Sequence, residues 1–258
     1  PGNPLDSGAP ITFDQVIDSI AGALGIPSPS GSITVANENR LINEVRREYF
    51  LARDGSRDAL WALTRAISEA EELVYVETAG LARTARPGGT PAPQEIDLIA
   101  RLGQRLTARP NLKVILVTPR EGDLVPAPFA RRAFAQRKEA VDLLTAAAPG
   151  RVVAFHPRGF PGRFAQLRSA VVIVDDVWSL TGATHLRRRG MTFDGSAAVA
   201  SFDRSIVAGY SQKVQAQRVA LMAARLGVAR FDTAGLPVPE FLRLARPSSA
   251  FALIRDLL

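Results

Sequence analysis

LRSAVVIVDDVWSLTGATHLRRRGMTFDGS, residues 167–196, holds the pattern from which the architecture is read. An apolar run at 171–174 ends on the acidic pair Asp175–Asp176, and a second short segment, 177–181, leads into Gly182. An apolar run closed by a polar pair and answered by another extended segment predicts a tight hairpin, 168–175 with 177–181. A glycine-led loop follows the second strand.

Outward from the hairpin, strands are predicted at 73–78, 112–118, 151–155 and 197–202. LVYVET and LKVILVT are nearly unbroken apolar runs, as strands covered on both faces require. Helices are predicted at 94–108 and 129–147, with a long one from about 204 to 226 that stops at Gly227. Ahead of the first strand, helices are expected at 11–24, 38–52 and 56–70. Thr12 and Ser56 are the N-cap candidates of the first and third. Leu60, Leu63 and Ile67 form an inward stripe on the third, and Trp61 and Trp178 are expected in the core. This alternation predicts an α/β fold, a mixed central sheet with helices on both faces. Residues 1–10 read as disordered and GIPSPSG (25–31) as a breaker. Three parts are expected: a flexible N-terminal segment and helix (1–31), the α/β domain (32–230) and a helical tail (231–258). There is no internal repeat.

Hydrophobic residues make up 47% and charged residues 22% of the 258, the balance of a chain with a well-buried core. No apolar run approaches the ~20 residues that cross a bilayer. With no Cys, disulfides, thiolate metal sites and thiol catalysis are excluded, and two His leave a His-based metal site unsupported. Neither metal nor cofactor is expected. The net charge of +7 has two readings. One is attraction to phosphates; the other is compositional, since nearly all the basic residues are Arg in an Ala-rich chain. The chain opens PGNPLDSGAP, with no Met and no signal pattern, so it is expected to be trimmed or part of something longer, and cytoplasmic rather than secreted.

The 167–196 stretch resembles the second catalytic motif of the phospholipase D superfamily, H-x-K-x4-D followed by G-S-x-N. With the motif's Asp on Asp175, its Lys falls on Ala170 and its His on Arg168. Gly-Ser-x-Asn falls on Gly182, Ala183, Thr184 and His185. The family's later N-R-R-S-x-x-x-D-x-E segment is matched by Arg188, Arg189, Gly190 and Asp194, with Ser196 in place of the Glu. Upstream, LVYVETAG resembles the family's I-Y-I-E-x-Q-Y strand, Glu77 matching its Glu, and NLKVILVTP resembles the next strand. The likeness spans roughly 58–227 and matches the C-terminal half of two-motif members. It implies an αβα sandwich.

It also implies where chemistry has been lost. Superfamily members attack phosphorus with one His, protonate the leaving oxygen with another, and hold the phosphate with Lys and Asn. Arg168 cannot be that nucleophile, because guanidinium stays protonated, and Ala170 removes the neighbouring cation. No catalytic residue is therefore assigned. The expected role is a degenerate domain for binding, structure or assembly. The alternatives are the C-terminal half of a working phosphodiesterase or phosphatidyltransferase, whose intact motif lies in another half or partner, and a nucleic-acid-binding module.

The candidates for an anion site are Arg168, His185 and Arg187, for a phosphate, a phospholipid head group or nucleic acid. Asp175 is expected to pair with Arg168 or a backbone N–H. Glu77 is expected to pair with Arg168 or His185, and His185 to bond Asp194 or Glu77 if it is not functional. His156 is read as structural, although a shifted site with Arg158 is conceivable. Arg131, Arg132, Arg137 and Lys138 form a possible second patch, read as lacking interleaved aromatics. A lone half is expected to cover its Asp175–His185 region with a second half, in a homodimer or in a partner.

Overall fold

In the computed structural model, three parallel strands, β1 (Leu73–Glu77), β2 (Lys113–Val117) and β3 (Val152–Phe155), precede three antiparallel ones. These are β4 (Ala170–Val174), β5 (Trp178–Gly182) and β6 (Ala198–Phe202). The structure describes residues 57–86, 95–120, 127–157, 159, 165–192, 194, 196–203, 205–207 and 210–257. The sheet order is β3-β2-β1-β4-β5-β6, so the two βαβ units sit on one half and a meander on the other. The predicted helices at 11–24 and 38–52, the disordered start, the 25–31 breaker, the Ser56 cap and Arg158 lie outside the described residues.

The alternation of side chains across the strands builds two cores. Val74, Val76, Val114, Leu116, Val172 and Val174 face α1 (Asp58–Glu69), α2 (Leu98–Ala108) and α3 (Ala127–Ala147). Leu73, Tyr75, Ile115, Val117, Val171 and Ile173 face α4 (Gln212–Leu226) and α6 (Pro247–Leu257). The short α5 (Pro239–Arg243) leads into α6. Every residue of β1 and β4 is buried, which explains the continuous apolar runs. The fold is thus the expected α/β sandwich. The segment 231–257 is built into it, because Phe251, Leu253 and Ile254 belong to the second core.

The β4–β5 hairpin turns on Asp175 and Asp176, with φ of 50° and 57°, closed by Val177 N–H donating to the Val174 carbonyl at 3.1 Å. Two left-handed residues in succession match the right-handed twist of the strands, and Asp tolerates that region better than most residues. Asp175 accepts from the backbone N–H of Glu71, Glu72 and Leu73, each at 2.8 Å, and so ties down the α1–β1 link. Asp176 is buried and pairs in fork geometry with Arg218 of α4, at 2.6 and 2.8 Å. Arg218 also donates to the Leu244 and Ala245 carbonyls.

Three expectations are corrected. The long helix starts at Gln212, not near 204. A small ribbon, β7 (Ile206–Val207) with β8 (Tyr210–Ser211), occupies the preceding residues. Asp203 explains this: its carboxylate accepts from Ser205 N–H at 2.8 Å and Lys213 N–H at 2.6 Å, capping the helix entrance across the ribbon. Trp61 is 55% exposed, one position off the stripe of Leu60, Leu63 and Ile67, while Trp178 packs against the first core. Helix α1 follows Arg57, which provides no side-chain cap.

Candidate anion-binding cleft

Strand direction decides which predicted residues can meet. Because β4 runs antiparallel to β1, Glu77 stands beside Val171 while Val74 stands beside Val174. Ala170 pairs with Gly182. Glu77, Ala170, Gly182 and the loop to His185 therefore share the edge where β1 and β2 end. Asp175 lies at the opposite edge, about 17 Å away by strand rise. The expectation of one Asp175–His185 region is thereby overturned: the five strand positions between them separate the two.

Glu77 is fully buried, and its partner is Arg225 of α4, at 2.7 and 3.0 Å, rather than Arg168 or His185. Ser169 Oγ and Tyr75 OH also donate to it, at 2.9 and 3.1 Å. The Glu77 hydrogen bond holds Arg225 above its ordinary value against desolvation. Burial first, then the Glu77 charge, pushes the Tyr75 hydroxyl well above its usual range. Val214, Arg218, Met222 and Arg225 recur at helical spacing on α4, and two arginines within an inward stripe are the signal that could have predicted both pairs.

The loop after β5 is held by contact and by glycine. Leu186 carbonyl accepts from Ala82 N–H at 2.8 Å, and Leu186 and Met191 are buried. A Cβ on Gly190 would lie 2.3 Å from the His185 carbonyl oxygen, so only glycine lets the 3₁₀ turn at Arg189–Met191 close beneath His185. His185 Nδ1 is 3.1 Å from Thr78 Oγ1, whose hydroxyl also reaches the Gly80 carbonyl at 3.2 Å. If the single hydroxyl hydrogen goes to Gly80, Nδ1 donates and Nε2 is the acceptor of a neutral ring; that tautomer is assigned from the bonding pattern. Burial, then the Arg187 charge, lowers the His185 pKa, with Asp194 opposing.

The three consecutive arginines are largely neutralised. Arg187 and Arg189 share Asp194, at 3.0 and 2.8 Å, and Arg188 reaches Glu95 at 2.6 Å. Burial would raise both carboxyls, but the arginine hydrogen bonds outweigh it and hold both below their ordinary values. His156 Nδ1 lies 2.9 Å from the Thr118 carbonyl oxygen.

A cleft of about 670 Å³ opens above the ends of β1 and β2. Its floor is 79–82 with Pro119, one wall is α3, and the other is Leu167, His185 and Arg187. Four arginines (Arg120, Arg131, Arg137 and Arg187) and His185 line it, and among the described residues no lining side chain is acidic. Crevices at the carboxyl ends of parallel strands are the usual ligand position of open α/β sheets. Of the three predicted anion residues, His185 and Arg187 are brought together here. Arg168 is exposed, and its neighbour Leu167 lines the cleft instead. Arg120, Arg131 and Arg137 are the lining residues that the motif reading missed.

The α3 patch also differs from its expectation. Phe134 stands between Arg132 and Arg137 in sequence, and it and Phe129 are exposed, so aromatics do interleave with the basic residues. Among the described residues, no helix is long and apolar enough to cross a membrane, and no three His, Asp or Glu gather in a metal-like group.

No family model and no curated protein matches this chain. The solved structures similar to part of it include these two. One is a phospholipase D family member, Nuc from Salmonella typhimurium, at 16% identity over 57% of this chain and 76% of that one, with a TM-score of 0.39. The other is NucT from Helicobacter pylori, at 17% identity over 57% and 79%, also with a TM-score of 0.39.

Proposed function

We propose that this chain is a degenerate phospholipase D-like module that holds a phosphate-bearing anion in the cleft above β1 and β2 and does not cleave it. The observation that carries the reading is the lining: four guanidiniums and an imidazole, with no carboxylate among the described residues. Guanidinium forks match phosphate oxygens in pairs, and Arg187, which pairs with Asp194 at 3.0 Å, would share its fork between that carboxylate and the ligand. Arg137 is already committed to the Pro119 and Arg120 carbonyls, so it shapes the wall, while Arg131 and Arg187 extend towards solvent.

The absence of turnover follows from the same residues. Covalent phosphoryl chemistry needs one imidazole to attack and another to protonate the leaving oxygen. His185 is in the cleft, but His156 is held by Thr118 and is not a lining residue. Ala170 is buried and offers no cation. Losing a general acid alone costs about 10²–10⁴-fold in rate. The test combines two assays on wild type. Inorganic phosphate or pyrophosphate should bind, more weakly in Arg131→Ala with Arg187→Ala, and an aryl phosphodiester should not be hydrolysed. Turnover abolished by His185→Ala would refute the proposal and make His185 a catalytic residue.

A further inference from the structure

Helix α3 outruns the body that supports it. Ala140, Leu144 and the adjoining Ala148 anchor its C-terminal part, whereas from 129 to 139 only Ala130 and Arg137 are even partly covered. Turning 100° per residue, Ala130, Ala133, Phe134 and Arg137 continue the anchored face, and all four line the cleft. The overhang thus carries an aromatic ring into a basic site. Phe134 is 57% exposed and Phe129 62% exposed, so core packing does not account for either.

The ring is positioned. The Arg137 guanidinium lies 5.4 Å from the Phe134 centroid and is itself fixed by two carbonyl oxygens. A planar cation on an aromatic ring leaves the other face available to a second flat group. A phosphate or a lipid head group would be satisfied by the guanidiniums alone and has no use for that face. A nucleobase does, provided that it is unpaired, because duplex bases are already stacked on one another. Charge complementarity supplies the rest: the phosphate backbone of such a ligand matches a wall whose described residues include arginines and no acid.

Resting on the reading of the cleft as an anion site, we propose that its ligand is single-stranded nucleic acid, with one base stacked on Phe134 and the adjoining phosphates on Arg131 and Arg187. A cleft of about 670 Å³ is in the range that encloses a drug-sized ligand, so it takes only a short stretch of the strand. The remainder would run out along the α3 overhang past Phe129.

The test is fluorescence anisotropy with three probes: a short dye-labelled oligothymidylate, an abasic phosphodiester strand of the same length, and vesicles containing an anionic phospholipid. The oligothymidylate should bind wild type roughly tenfold or more tighter than the abasic strand. Phe134→Ala should abolish that preference. Phe134→Trp should keep it and show quenching of the new indole, a readout that a merely structural role would not move. Arg131→Ala with Arg187→Ala should weaken both strands and flatten the salt dependence. Equal binding of the two strands, or no effect of Phe134→Ala, overturns the stacking proposal and leaves the anion cleft standing. Binding of the vesicles but of neither strand overturns it in favour of a lipid ligand, and binding of none of the probes overturns both readings.

Discussion

Glu77 and Arg225 illustrate how unevenly a buried ion pair responds to change. Glu77 has no exposed surface, and four donor contacts converge on it. Arg225→Met removes the only cation among those partners and should cost about 3–5 kcal/mol, by analogy with other broken buried pairs. Glu77→Gln combined with Arg225→Met should recover most of the loss. Urea melts of the two proteins check this, and equal destabilisation would show that the charge was not the cause. His185 makes a second prediction at this scale. Its pKa is lowered in the fold, so between the ordinary His value and the lowered one the unfolded chain binds more protons. Stability should therefore fall as pH drops through that window, and His185→Gln should remove this component of the loss. Over the same window the imidazolium gains a second donor, so phosphate affinity should rise. NMR titration of the ring and phosphate binding across pH measure both. Glu77 was legible in the sequence as a buried strand acid. Its partner was not, because Arg225 lies 148 positions away and only the inward stripe of α4 brings it back.

Elements join where side chains are missing. A Cβ on Gly182 would lie 2.3 Å from the Ala197 carbonyl oxygen and 2.5 Å from Ala198 Cα, both backbone atoms. Gly182→Ala should therefore push β6 away from β5 and destabilise by about 1–3 kcal/mol. At Gly80 the nearest atom is Arg187 Cδ at 3.0 Å, the stem of a half-exposed side chain that can swing aside. Gly80→Ala should cost clearly less, and comparing the two denaturation midpoints tests the distinction. Strands and helices of this kind were legible because their apolar periods differ. The β7–β8 ribbon was not, since its cause is Asp203 reaching two N–H groups eight positions apart, Ser205 and Lys213. The role of Phe134 was missed for a different reason. Periodicity assigns it near the inward face of α3, and only the folded structure reveals that it is 57% exposed there.

On the scale of the whole molecule, the cleft draws on five separated segments, 79–82, 119–120, 130–137, Leu167 and 185–187, and the sequence motif pointed to the anion-binding residues of one of them. His185 and Arg187 came from the motif; Arg120, Arg131 and Arg137 come from a loop and a helix that meet them only in the folded chain. The motif also suggested Asp175 as a neighbour of His185. Strand rise contradicts that, and what Asp175 does instead reaches across the structure. With Asp176 beside it, one dipeptide at the base of the sheet grips the backbone leaving α1 on one face and Arg218 of α4 on the other. Peeling away either helical layer must first break this fastening, so neither layer has an independent route to opening. Amide hydrogens of β1, on the α1 side, and of α4 should then exchange at a common rate set by global unfolding, where loosely joined layers would show two. Asp175→Ala should uncouple them, letting α1 and the start of β1 exchange sooner while α4 stays protected. The acidic pair at the hairpin tip would then set the size of the unit that unfolds.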